Sequence, residues 1–129
     1  MSDKKDIGNR EDLGLVLKRF YEKVFSDRVI GHFFTIVVPL NLDTHLPVIT
    51  DFWEAVLFDT RGYRKNVMEV HGHIHALSSI EKTHLDQWVS LFTSTIDECF
   101  AGEKAELMKQ RARSIATLMD IKLNHPNIR

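Results

Sequence analysis

The amino-acid sequence predicts an all-α fold. Three observations carry the prediction. Apolar residues recur at a helical period over most of the chain. The one run that could be a strand, Phe33 to Val38, has no second strand to pair with, and a lone strand is not stable. Gly102 and Pro126 fall where apolar stripes end, as helix terminators do. With 129 residues joined by short connections, one domain over 1–129 is expected, its first ten residues polar and frayed.

The elements follow in order. Leu13, Leu17, Phe20, Tyr21 and Val24 lie at i, i+4, i+7, i+8 and i+11, one face of a helix that Asn9 or Asp12 can cap. Ser26 to Gly31 is a turn, and Phe33 to Val38 becomes a short helical or irregular corner. Asn41, Asp43 or Thr44 opens a second helix. Pro47 is placed in its first turn, where a missing N–H costs nothing. Its stripe is Leu46, Ile49, Trp53, Val56 and Leu57, with Phe52 beside it and His45 on the flank. Asp59 to Gly62 ends that helix. A polar loop over 63–66 leads to a short helix around His71. Ser78 and Glu81 read as a capping box for a long stripe of Leu85, Trp88, Val89, Phe92, Ile96, Cys99 and Phe100. The last helix carries Leu107, Met108, Ala112, Ile115, Ala116, Met119 and Leu123.

Composition narrows the function. Seventeen basic and eighteen acidic residues leave a net charge of −1, so no electrostatic footprint for nucleic acid or an anionic membrane is present. One cysteine, Cys99, cannot form an internal disulfide, which suits a reducing compartment. The polar N-terminus has no signal-peptide core and no run reaches the ~18 apolar residues of a membrane span. A cytoplasmic protein is expected. No Gly-rich phosphate loop, GxSxG, HExxH or CxxC is present, which removes most enzyme classes readable by motif.

Histidines and aromatics remain. His71, His73 and His75 fall within five residues. Imidazole is the commonest metal ligand. On a helix His71 and His75 share a face and His73 points away; on a strand all three would align. A zinc site would need three or four ligands in all. Solvated histidines, a bare metal site and a cofactor ligand all stay open on local pattern alone. Elsewhere Tyr21, His45 and Trp88 place polar tips among the apolar residues Phe34, Phe52 and Trp53. Packing explains each singly. If the three tips face one cavity, they are donors in need of a common acceptor.

At these residues the chain resembles a known family, the truncated haemoglobins of the third group. The matching pieces run from about Leu13 to Leu123. They are Phe20-Tyr21-Glu22-Lys23-Val24 with Asp27 and Ile30-Gly31-His32-Phe33-Phe34; His45 with Phe52-Trp53; Tyr63 with His71 eight residues on; and Gln87-Trp88 with Leu91-Phe92. The resemblance implies a two-over-two helical sandwich around haem b. It implies His71 as the iron's proximal ligand, Tyr21, Trp88 and His45 on the distal side, and Phe33, Phe34, Phe52 and Trp53 as pocket wall. Arg64 and Lys65 are the candidates for the haem propionates. Lys65 and Val67 stand where the family often has Gly and Pro, and His73 and His75 become bystanders. The implied ligands are O2, NO and CO. Several donors around the iron slow ligand release, which points to sensing or to oxygen, NO or peroxide chemistry rather than bulk oxygen transport. NO dioxygenase or peroxidase-like activity stays open, with a reductase that the sequence does not identify. A monomer or weak homodimer is expected. The rival reading from another class is a non-haem zinc protein using His71, His73 and His75.

Overall fold

A computed structural model describes residues 4–37, 41–58 and 79–124. Among them the elements are α1 (Arg10–Phe25), a single π-helical turn (Phe33–Val37), α2 (Leu42–Phe58), α3 (Lys82–Cys99) and α4 (Glu103–Asn124), with no strand. The all-α expectation holds. None of these helices is long and apolar enough to cross a membrane.

The first helix buries the whole stripe its sequence sets out, and the later helices bury part of theirs, with Leu46, Ile49, Val56, Val89, Leu107 and Ile115 only half-buried against the core. α1 starts where the Asn9 side chain accepts from Asp12 N–H at 2.9 Å, a side-chain cap for one orphan donor. Its buried face is Leu13, Val16, Leu17, Phe20, Tyr21 and Val24. α1 packs on α2 and α3 packs on α4, and the pairs cross through α1 on α3 and α2 on α4. This is a two-over-two sandwich. Phe20, Leu17, Phe92, Ile96 and Met108 fill the space between the pairs, all of them fully buried. Burying such side chains stabilises the fold by roughly 1.5–3 kcal/mol each before conformational entropy is charged against it.

The corner after α1 is built by Asp27. One carboxylate oxygen accepts from the backbone N–H groups of Val29 and Ile30 at 2.9 and 3.0 Å, and the other from Gln87 Nε2 at 2.8 Å. The corner is thereby tied to α3. Gly31 follows because the chain folds back on the end of α1: a Cβ there would lie 2.9 Å from the Val24 carbonyl oxygen. The π turn buries Phe33 and leaves Ile36 exposed, while Phe34 and Val37 pack half-buried against the core.

Three local expectations are corrected. The segment 4–9, expected to fray, is docked. The Asp6 carboxylate accepts from Lys104 and Ala105 N–H at 2.8 and 2.9 Å, capping α4, and Ile7 is buried. Gly102, at φ +142°, leaves the room that Asp6 occupies. A polar segment can be ordered when its polar groups satisfy another element's orphan donors. Pro47 is not in a first turn, because α2 begins at Leu42, with Asn41 accepting from the N–H groups of Thr44 and His45. Pro47 therefore leaves the Asp43 carbonyl without its helical donor, while its own carbonyl accepts from Arg10. The cap of α3 is Glu81 rather than Ser78, which lies outside the described residues: the His84 side chain turns back and its Nδ1 accepts from Glu81 N–H at 2.9 Å.

Candidate functional site

Tyr21 and His45 are brought together by the packing of α1 on α2. The phenol oxygen lies 3.0 Å from His45 Nε2. Either the phenol donates to a bare Nε2, or an Nε2–H donates to the phenol oxygen, as the tautomer dictates. The rings meet edge-to-face at 5.3 Å and 89°. Tyr21 is 6% exposed, and burial pushes its ionisation above the usual phenol range. It is thus a neutral hydroxyl, able to donate. Phe34 stands edge-on to it at 5.9 Å, so the corner and α1 share one aromatic wall.

The other side of that wall is a cavity of about 70 Å³ between the corner, the start of α3 and the end of α4. Ile30, Phe33, Phe34, Ile80, Leu85 and Met119 give it an apolar lining, and His84 and Trp88 complete it. A space of this size holds one or two molecules of roughly water size, about 30 Å³ each. Trp88 stacks on Phe92 at 5.2 Å and 14°, and Phe92 stacks in turn on Trp53 at 5.2 Å and 27°. Phe52, half-buried, sits edge-on to Trp53 at 5.2 Å. The Asp27–Gln87 bond holds the corner against the helix that carries Trp88. Burial opposes the charge on Asp27, but the Ile30 N–H, the Gln87 amide and the Val29 N–H hold its carboxyl below the usual range.

The sites read from sequence therefore divide. Tyr21, His45 and Phe34 form one contact group. Phe33, Phe34 and Trp88 line the cavity. Phe52 and Trp53 reach it only through the ring stack behind Trp88. The proximal candidate His71, its neighbours His73 and His75, Tyr63 and the propionate candidates Arg64 and Lys65 lie outside the described residues. Among the described residues no three His, Cys, Asp or Glu side chains gather as a metal site would require. His84 was not foreseen as a pocket residue, although its place four residues before Trp88 puts both on one helix face.

No family model matches the chain. The group 3 truncated hemoglobin ctb of Campylobacter jejuni is 24% identical over 112 residues, which are 84% of this chain and 86% of that protein. The crystal structure of a group III truncated hemoglobin from Campylobacter jejuni aligns with a TM-score of 0.82 at 22% identity, covering 98% of this chain and 99% of that one. The resemblance read from scattered residues thus extends to the whole fold. Neither likeness gives the zinc alternative any support.

Proposed function

On the fold it shares with the truncated haemoglobins, we propose that this chain is a haem-binding globin that takes O2 and other diatomic ligands, NO and CO among them, in a polar distal pocket. The observation that carries the reading is the buried Tyr21 hydroxyl set 3.0 Å from His45 and sharing the ring of Phe34 with the Trp88 cavity. A flat apolar macrocycle with a polar metal centre suits these residues: Phe33, Phe34 and Trp88 offer apolar faces, and a few polar tips stand among them.

Haem b would supply an iron with one open coordination position. His71 is the proposed iron ligand, on its spacing from Tyr63; its second ring nitrogen would donate to an acceptor that fixes the ring. Arg64 and Lys65 are the proposed propionate partners. The Tyr21 O–H and Trp88 N–H would donate to a ligand that carries partial negative charge, and such bonds are the stronger kind. His45 takes part through Tyr21, either sharing in donation or swinging aside to admit the ligand. Several donors favour retention, so the role proposed is sensing or reaction of O2, NO or peroxide rather than bulk transport. NO dioxygenase or peroxidase-like turnover would need an electron donor such as a reductase. A cytoplasmic monomer or weak homodimer completes the proposal.

The test is an absorption spectrum of the purified protein, reduced, with and without carbon monoxide. A Soret band that shifts with CO is expected, and its loss in His71→Ala. A colourless protein holding stoichiometric zinc would sink the reading.

A further inference from the structure

The cap of α3 carries an imidazole where a capping box ordinarily carries Glu or Gln. His84 is the third helical residue, and its Nδ1 accepts from the Glu81 backbone N–H at 2.9 Å. Gln does not titrate and Glu stays ionised down to about pH 4, so the ordinary box is indifferent to pH near neutrality. Imidazole titrates there, with an unperturbed value of about 6.5. A ring nitrogen accepts from N–H only while it carries no proton. Protonation therefore turns the acceptor into a second donor facing the N–H it had held. It also sets a positive charge at a helix N-terminus, where the dipole opposes it.

The same ring joins α3 to the corner. It meets Phe33 edge-on at 4.9 Å and His32 edge-on at 5.9 Å. His32 and His84 are both half-buried, so protons reach them without unfolding, and once charged they repel each other. Among the described residues the other charged groups about this turn are Glu81 at the cap, Lys82 paired with Asp86 at 2.8 Å, and Asp120 of α4, which acts on Lys82. Glu81 and the Phe33 ring would favour an imidazolium. Glu81 is exposed, however, and its attraction is screened; one ring contact stands against a lost bond, the helix dipole and His32. Asp27 ties the corner to α3 through Gln87 at 2.8 Å, and its carboxylate keeps its charge throughout, being held below the usual range by the Ile30 N–H, the Gln87 amide and the Val29 N–H against the opposing effect of burial. An acid response is thus confined to the turn before Gln87.

We propose that His84 is an acid-released latch on the cavity wall. Neutral, it caps α3 and seats the first turn against the corner. Protonated, it lets the turn go, and the wall that His84, Leu85 and Trp88 supply to the cavity loosens. The cap's stability is present above the imidazole range and is lost as pH falls through it. The device stands with or without haem in the pocket.

The test follows the full-length protein by NMR between about pH 8 and pH 5, reduced under carbon monoxide so that any haem iron is diamagnetic. Solvent exchange of the Glu81 amide, corrected for its intrinsic rate, should rise about fivefold in wild type as the pH falls, the worth of one hydrogen bond. The Trp88 indole N–H signal should shift over the same range. His84→Gln keeps an acceptor for the cap and gains no proton, so both signals should stay flat. Wild-type signals that stay flat, or a His84→Gln response as steep as that of wild type, overturn the latch. A Glu81 amide that responds while Trp88 does not overturns the link to the cavity. Should His84→Gln fail to fold, the wild-type ring decides: at the alkaline end its nitrogen shifts must place the proton on Nε2, and a proton on Nδ1 overturns the proposal.

Discussion

Replacing Tyr21 by Phe removes one oxygen and leaves the ring. The ring keeps its edge-on contacts with Phe20 at 5.1 Å and Phe34 at 5.9 Å, so no cavity opens. What is lost is the 3.0 Å bond to His45, worth about 1 kcal/mol net. For a chain of this length that lowers Tm by roughly 3–6 °C. The effect on a bound ligand is larger in kind. A donor to a partly charged acceptor contributes about 1.5–3 kcal/mol, or roughly ten- to a hundredfold in release rate. The hydroxyl already has a partner in His45, so the ligand gains only the difference, and the expected rise in O2 off-rate is at the lower end, about tenfold. Stopped-flow displacement of O2 by CO measures it. An off-rate within twofold of wild type, in a protein that loads haem normally, refutes the donor role. His45→Leu gives the sign test: freed from its partner, Tyr21 should hold O2 longer.

Two further outcomes concern the scaffold. Phe92→Ala should cost about 3–5 kcal/mol in chemical denaturation, because Phe92 is 1% exposed and stacked on both sides; a loss below about 1 kcal/mol would mean that the stack does not carry the core. Asp6→Ala should cost about 1 kcal/mol at pH 7, the usual worth of a helix cap. Burial opposes the Asp6 charge, but backbone N–H groups of Lys104, Ala105 and Ile7 hold its carboxyl below the usual range. That stability is present above the unfolded carboxyl value near 3.9 and is lost as pH falls through the lower folded one. The gap between wild type and Asp6→Ala should therefore close as the pH falls below the ordinary carboxyl range and the Asp6 carboxylate is protonated, and a gap that persists once it is protonated refutes the cap.

The helices were legible because burial repeats at the helical period. Leu13 to Val24 and Leu85 to Phe100 name their own inner faces. The Tyr21–His45 pair was half legible. Tyr21 stands on an apolar stripe with a polar tip, but its pairing with His45 depends on how α1 lies on α2, which no local pattern states. His84 escaped for a different reason: its side chain turns back to accept from a backbone N–H three residues earlier, a contact that no apolar period states. Asp6 escaped because a polar N-terminal segment looks alike whether solvated or capping a helix ninety-odd residues away. The capping box was misplaced by one partner because Ser78 and Glu81 also satisfy the motif's spacing.

The stack of Trp53, Phe92 and Trp88 has a consequence for how this protein can change. The innermost rings of the core and the ring at the cavity are one rigid column, touching face to face from α2 to the start of the pocket. A substitution that widens the cavity through Trp88 also unseats Phe92 and loosens Trp53 behind it. The shape of the cavity and thermal endurance are then inherited together. Variants that retune the cavity at less cost to the fold should instead alter the corner at Phe34, which borders the cavity from outside the column.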